Sequence, residues 1–237
     1  MCRYETGDTR QETGGYPFRS NVSCLVSPVS CLPSNIYMER LLLVFVKNPV
    51  PGRVKTRLAR TVGDEKALWV YERLLALTRR AARGVAAQRW VCYSDFVPAA
   101  DAWLEGGFTP HRQEGETLGD RMHEAFRQGF AAGYGSILII GSDCPDVSPA
   151  LLEEAFRRLE SFPVVLGPAA DGGYYLLGMN HLVESLFRNK PWSTPAVLAQ
   201  TVADLQRADI PYALLPVLSD VDEAADLDPL PPSFWHD

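Results

Sequence analysis

The 237-residue chain contains no C-x-x-C pair, no H-x-x-x-H array, no G-x-x-x-x-G-K loop and no apolar run near the ~20 residues a membrane helix needs. Its five cysteines, Cys2, Cys24, Cys31, Cys92 and Cys144, are odd in number and irregularly spaced. That spacing excludes a disulfide framework and a zinc site, and it suits reduced thiols in a cytoplasm. The four histidines, His111, His123, His181 and His236, give no spacing that supports Ser-His-Asp chemistry. The first residues lack a basic cluster followed by an apolar core, so a secretory signal is not expected. A formal net charge of -6 disfavours general nucleic-acid binding, which requires a basic face to displace counterions. The expectation is a cytoplasmic protein with no nucleic-acid and no membrane partner. The sequence sets no oligomeric state.

What is present is ordinary for a globular protein: 46% apolar and 22% charged residues. Residues 1–37 are rich in Ser, Thr, Gly and Pro without sustained periodicity, and read as a flexible arm. Residues 38–237 read as a single domain. Within it, strand and helix signals alternate. Residues 41–46, 89–94, 136–140, 163–166, 174–178 and 212–217 are expected strands, and a short strand precedes Gln113. Helices are expected from Asp64, as a cap, to about Arg83, after Thr117 with Asp120 in a capping box, after Ser148-Pro149, and from Thr194-Pro195. Such alternation implies a mostly parallel sheet covered on both faces, with ligands at the carboxyl ends of the strands. The residues that follow each strand therefore matter most.

After the first strand comes KNPVPGRVKTRL, with Lys47, Arg53, Lys55 and Arg57 gathered around two prolines and Gly52. Pro51 stiffens the loop and Gly52 lets a backbone pass close to a ligand. Lys55 and Arg57, two apart, would flank one anion from an extended loop, and phosphate is favoured over a merely solvated loop. After the strand at 136–140 comes GSDCPD. Asp143 is placed to hold Mg or Mn, both of which prefer carboxylate oxygens. Asp146 reads as a helix cap, with Ser148 as its competitor, and Cys144 as a small buried thiol. The run Asp171-Gly172-Gly173-Tyr174 fits a hairpin turn and a sugar- or acceptor-contacting loop equally well on spacing. For Gln113 to Met122, spacing alone favours an ordinary loop and cap over a nucleotide contact. In SDVDEAADLD the acids Asp220, Asp222, Glu223, Asp226 and Asp228 read as a solvated run, with Asp222 a weaker candidate for a second metal ligand.

Five motifs in order carry a family resemblance: K-x-P-x-P-G-x-x-K-T-R-L (Lys47 to Leu58), Q-x-G-x-x-L-G-x-R-M (Gln113 to Met122), G-S-D-C-P-D (Gly141 to Asp146), G-P-A-x-D-G-G-Y-Y-L-L-G (Gly167 to Gly178) and P-W-S-T (Pro191 to Thr194). Together they resemble the bacterial radical-SAM/selenodomain-associated transferase 1 family, grouped with nucleotide-diphospho-sugar transferases of GT-A type. The K-T-R-L ending is also similar to phospholactate guanylyltransferase. The resemblance implies a Rossmann-like, three-layer α/β/α GT-A domain using a divalent metal, Mg or Mn. It implies a nucleotide or nucleotide sugar held by Lys47, Pro51, Gly52, Arg53, Lys55 and Arg57 and by Gln113, Gly115, Leu118, Gly119 and Arg121. Asp143 and Asp222 would be the metal ligands. Lys55, Arg57 and Asp171 would be catalytic. Asp171, Gly172, Gly173 and Tyr174 would face a small acceptor of unknown identity. Glycosyl transfer from a nucleotide sugar is the expected reaction. Nucleotidyl transfer releasing pyrophosphate is the near alternative, and non-catalytic nucleotide binding is the alternative from another class.

Overall fold

The structure, a computed structural model, describes residues 39–235. The arm expected over residues 1–37 lies outside the described residues. In chain order the elements are β1 (Arg40–Val46), α1 (Thr56–Val62), α2 (Asp64–Arg83), β2 (Gln88–Tyr93), α3 (Ala102–Glu105), β3 (Thr109–Arg112) and α4 (Leu118–Ala131). They continue with β4 (Ser136–Ile140), α5 (Pro149–Leu159), β5 (Val164–Pro168), β6 (Tyr174–Met179), α6 (Val197–Arg207), β7 (Tyr212–Leu214) and α7 (Pro232–Trp235). Two 3₁₀ turns, Glu184–Phe187 and Ala224–Leu227, complete them.

The seven strands form one sheet in the order β3-β2-β1-β4-β6-β5-β7, parallel throughout except for β6, which is antiparallel to both β4 and β5. The sheet is the mostly parallel one expected. β1 shows why its sequence is a continuous apolar run. Leu42, Val44 and Val46 pack with Tyr71 and Leu75 of α2 and with Leu152 and Phe156 of α5. Leu41, Leu43 and Phe45 pack on the other face with Met122 and Phe126 of α4 and Leu205 of α6. A strand buried on both faces cannot alternate apolar with polar residues. The three layers are therefore helix, sheet, helix.

A third apolar cluster fixes the path of the chain's end. Val221 and Leu227 are buried with Leu58 of α1, with Ala67, Val70 and Leu74 of α2, and with Phe234 of α7. This cluster folds the segment after β7 back over α1, beside the end of β1.

Local signals were kept or displaced for physical reasons. Thr117 is the N-cap of α4, its hydroxyl oxygen accepting from the Asp120 amide at 3.2 Å while the Asp120 carboxylate accepts from the Thr117 amide at 3.0 Å. The Thr117 bonds hold the Asp120 carboxyl below its usual range. Thr117→Ala should lower the melting temperature by roughly 2–4 °C, as loss of one cap does in a chain of this size; thermal denaturation followed by circular dichroism checks it. Ser148, not Asp146, caps α5, accepting from the Leu151 amide at 3.3 Å, and Pro149 takes the first helical position. Asp64 is the first residue of α2 rather than its cap, a place taken by Gly63. α6 begins at Val197, later than Thr194-Pro195, because the segment before it is held irregular by contacts described below.

Candidate functional site

β1 sends the chain to β2 on one side, and its other neighbour is β4. The strand order thus reverses between β1 and β4, where open α/β sheets have their ligand crevice at the carboxyl edge. The first loop and the GSDCPD loop leave the sheet at this point.

The first loop is built as the VPGR sequence dictates. Arg53 N–H donates to the Val50 carbonyl at 3.0 Å, closing a turn with Pro51 and Gly52 in its centre, and Gly52 has φ 72, which a side chain would resist. Asn48 is buried and ties this loop to the one after β2. Its Oδ1 accepts from the Asp95 and Phe96 amides at 3.1 and 3.3 Å, and its Nδ2 donates to the Phe96 carbonyl at 2.9 Å. The Tyr71 hydroxyl accepts from Lys47 N–H at 2.8 Å and lies 3.3 Å from Ser142 Oγ, the neighbour of Asp143. Burial pushes the Tyr71 phenol up to about 12, so it remains a proton donor. Tyr71 therefore locks the ends of β1 and β4 together.

The loop does not run extended through Lys55 and Arg57. Lys55 is the N-cap of α1 in the left-handed region (φ 47, ψ 44), and Arg57 lies within the helix. The apolar demand of Leu58, fully buried in the third cluster, makes the helix start here. A non-glycine residue in that region is uncommon and is held only when its surroundings over-determine it. Here the surroundings are charged. Lys55 Nζ lies 2.6 Å from Asp143 Oδ1 and 3.2 Å from Asp222 Oδ1, and the lysine side chain is only 4% exposed. Arg57 Nη1, exposed, faces the other Asp222 oxygen at 3.7 Å. The Val221 amide donates to the Asp143 carbonyl at 2.9 Å, fastening the two acidic segments side by side. With Val221 turned into the third cluster, Asp220 and Asp222 flank it in sequence at this edge. Asp226 accepts from the Asp222 and Glu223 amides at 2.8 and 2.7 Å and so steadies the Asp222 backbone.

Asp220 is the residue that sequence reasoning passed over. Its carboxyl is pushed up to about 7, by burial first and then by the negative charges of Asp143 and Asp171, with Lys55 opposing. The charges of Asp143, Asp171 and Asp222 thus all act on Asp220, with the buried Lys55 ammonium opposing them. The signal was present as an acidic run, but nothing in that run marks which acid is buried. Tyr71 carried no site signal in the sequence. Burial pushes the Cys144 thiol up to about 12, which suits the small buried thiol expected there and not a nucleophile.

The remaining site residues lie in loops or in the first turns and ends of the elements they join. Lys47 and Arg53 are exposed, and their side chains form no ion pair among the described residues. Gln113 Nε2 donates to the Cys92 and Val46 carbonyls at 2.8 and 3.3 Å, so its amide secures the ends of β1 and β2. Arg121 Nε donates to the Gly115 carbonyl at 3.1 Å, closing the loop before α4, and Leu118 is exposed. A methyl group on Gly119 would lie 2.3 Å from Trp192 Nε1, so the indole of P-W-S-T covers that glycine. The same ring stands edge-on to Tyr174, with centroids 6.5 Å apart. Asp171 accepts from the Gly173 amide at 2.8 Å within the β5–β6 turn, and Gly172 (φ 89) abuts the Pro195 backbone. Trp192 and Pro195 thus join the loop before α4 to the turn before β6. The sequence contained P-W-S-T but assigned it no task.

Among the described residues, no group of three or more His, Cys, Asp or Glu side chains is arranged to hold a metal ion. Two carboxylates do converge on one point, the Lys55 ammonium. No described helix is long and apolar enough to cross a membrane.

Residues 77–194 match the family described as "Uncharacterized protein conserved in bacteria (DUF2064)". No curated protein matches the sequence. A solved structure from Desulfovibrio desulfuricans G20, provisionally named a nucleotide-diphospho-sugar transferase, is 32% identical with a TM-score of 0.72, over 79% of this chain and 84% of that one. The inositol-1-phosphate CTP transferase from T. maritima is similar in fold, at 13% identity and a TM-score of 0.50, over 81% of this chain and 93% of that one.

Proposed function

The chain belongs to the DUF2064 family, and from that membership and the geometry above we infer a transferase that draws on an activated nucleotide, most readily a nucleotide sugar, with the help of a divalent metal. The observation that carries this reading is the buried Lys55 ammonium set between Asp143 and Asp222 at the reversal of the sheet. A buried ammonium is costly to desolvate, and a left-handed lysine adds strain. Such an arrangement is retained where it serves a ligand.

The residues fit a hard divalent cation. Asp143 and Asp222 meet one buried ammonium, and the charges of Asp143, Asp171 and Asp222 all bear on Asp220, so negative charge gathers at this point. Mg is commonly bound through one or two carboxylates, with substrate phosphates and water completing the shell, rather than by an all-protein cage. Asp143 and Asp222 are such a pair, each nearly half exposed. The metal would supply Lewis-acid stabilisation of diphosphate charge.

The chain's own groups divide the rest. Lys47, Arg53 and Arg57 are exposed cations on the phosphate side. Lys55 neutralises the charge of the departing phosphate as its bond to the sugar breaks, the electrostatic contribution that dominates in such chemistry. Asp171 positions an acceptor hydroxyl and receives its proton. Nucleotidyl transfer is the second reading, favoured by the four cations of the first loop, which suit a triphosphate.

Incubation with nucleotides and nucleotide sugars in the presence of Mn²⁺ or Mg²⁺ tests the reading. Release of a nucleoside diphosphate or monophosphate, abolished by EDTA and restored by metal, is the expected outcome. Release of pyrophosphate would select nucleotidyl transfer instead. Nucleotide binding without turnover, indifferent to EDTA and to Asp143→Asn, would leave only a binding protein.

A further inference from the structure

The Lys55 ammonium occupies the point on which Asp143 and Asp222 converge. We propose that it is the site's resident counter-ion, and that a divalent cation displaces it from between these two carboxylates. The proposal rests on the metal reading above. It adds that metal and lysine compete for one place, so that arrival of the metal is what frees the ammonium for phosphate oxygens.

Three observations converge. First, the lysine is shut away from solvent as long as it stays between the carboxylates: it meets them at 2.6 and 3.2 Å, and its side chain is 4% exposed. An ammonium so engaged is not available to a phosphate. Second, a cation reaching Asp222 meets positive charge beside both of its oxygens. One Asp222 oxygen faces Lys55 and the other faces Arg57 Nη1 at 3.7 Å. An ion of twice the charge competes for these oxygens and repels the ammonium beside it. Arg57 already reaches solvent and can move aside, whereas Lys55 must leave a buried position. Third, Lys55 is held at φ 47, a backbone state that its ion pairs help impose and that it can abandon once they are lost. Asp143 and Asp222, by contrast, are anchored through their backbones by the Val221 and Asp226 bonds and stay in place.

The chain's four lysines supply an internal comparison. Lys47 and Lys66 are exposed, and Lys190 is fully buried on Asp204, 0% exposed. Mn²⁺ binding to the full-length protein is first measured by electron paramagnetic resonance of the free ion. Lysine acetylation by an N-hydroxysuccinimide ester is then mapped by mass spectrometry, with and without saturating Mn²⁺. Without metal, Lys55 should react as slowly as Lys190. With metal its rate should rise about tenfold or more, since an amine displaced from its buried position becomes open to the reagent. Lys47, Lys66 and Lys190 should not change. In addition, Lys55→Met should bind Mn²⁺ more tightly, because the competing cation is gone. Saturation with Mn²⁺ that leaves Lys55 acetylation unchanged, or equal affinity in wild type and Lys55→Met, overturns the exchange while the metal site stands. Wild-type protein that takes up no Mn²⁺ overturns the metal reading and the exchange together.

Discussion

Lys55→Met should lower kcat by roughly 10²–10³, the loss typical of one well-placed charged donor, while the protein stays folded. The two effects separate because of where the charges lie. Removing one partner of a fully buried ion pair is severe, since the other charge is stranded without solvent. Asp143 and Asp222 are not stranded, being 45% and 46% exposed, so water takes over much of what the ammonium did. Methionine also fills the apolar length of the lysine stem. Catalysis has no such substitute, because water cannot present a fixed positive charge to a departing phosphate. Lys55→Arg should fail to restore the rate. A planar guanidinium is larger than an ammonium, and the position it would enter is almost closed to solvent. The measurement is kcat on whichever nucleotide the product assay identifies, alongside the melting temperature of each variant. Full turnover in Lys55→Met would remove Lys55 from the chemistry. A parallel collapse of stability and turnover would make it a structural residue.

How much of this was legible depends on whether a contact is local. Residues 41–46 and 136–140 announce β1 and β4 because strands buried on both faces must be apolar at every position. Thr117 and Asp120 announce α4 because a capping box is contained within four residues. Lys55 and Asp143 stand out because charge directly after a buried strand faces the ligand edge. The geometry between them was not legible. α1 replaces an extended loop because Leu58 joins Val221, Leu227 and Phe234 from the far end of the chain. That same cluster carries Asp222 to Lys55, and Asp220 is the acid of its run whose carboxyl is pushed up. No local pattern contains such information. α3 and α7 are four residues each, too short to show a helical period. Trp192 is visible in the sequence, but its seat on Gly119 is a tertiary fact.

Gly172→Ala should destabilise the protein by roughly 2–4 kcal/mol, from a left-handed backbone and an overpacked contact together. The position has φ 89, and an added methyl carbon would lie 2.2 Å from the Pro195 carbonyl oxygen and 2.8 Å from two other Pro195 backbone atoms. A flexible side chain would swing away, but these are main-chain atoms of a segment with little freedom. Leu198 N–H donates to the Gly172 carbonyl at 3.0 Å, and Ser193 is itself at φ 62. Relief must come from moving residues 193–196 outward. Trp192 would then be drawn from its place over Gly119 and beside Tyr174, and the turn bearing Asp171 would lose its support. Damage should therefore spread from the β5–β6 turn to the start of α4, and hydrogen exchange should quicken at both while β1 and β2 remain protected. Gly141→Ala is the matched control. It has no atom within 4 Å of its added methyl group, so its stability should stay within about 0.5 kcal/mol of wild type. Chemical denaturation of both variants reads the difference. If Gly172→Ala proves as stable as Gly141→Ala, the Pro195 contact is not what holds the β5–β6 turn, and Asp171 must be positioned by its own Asx turn alone.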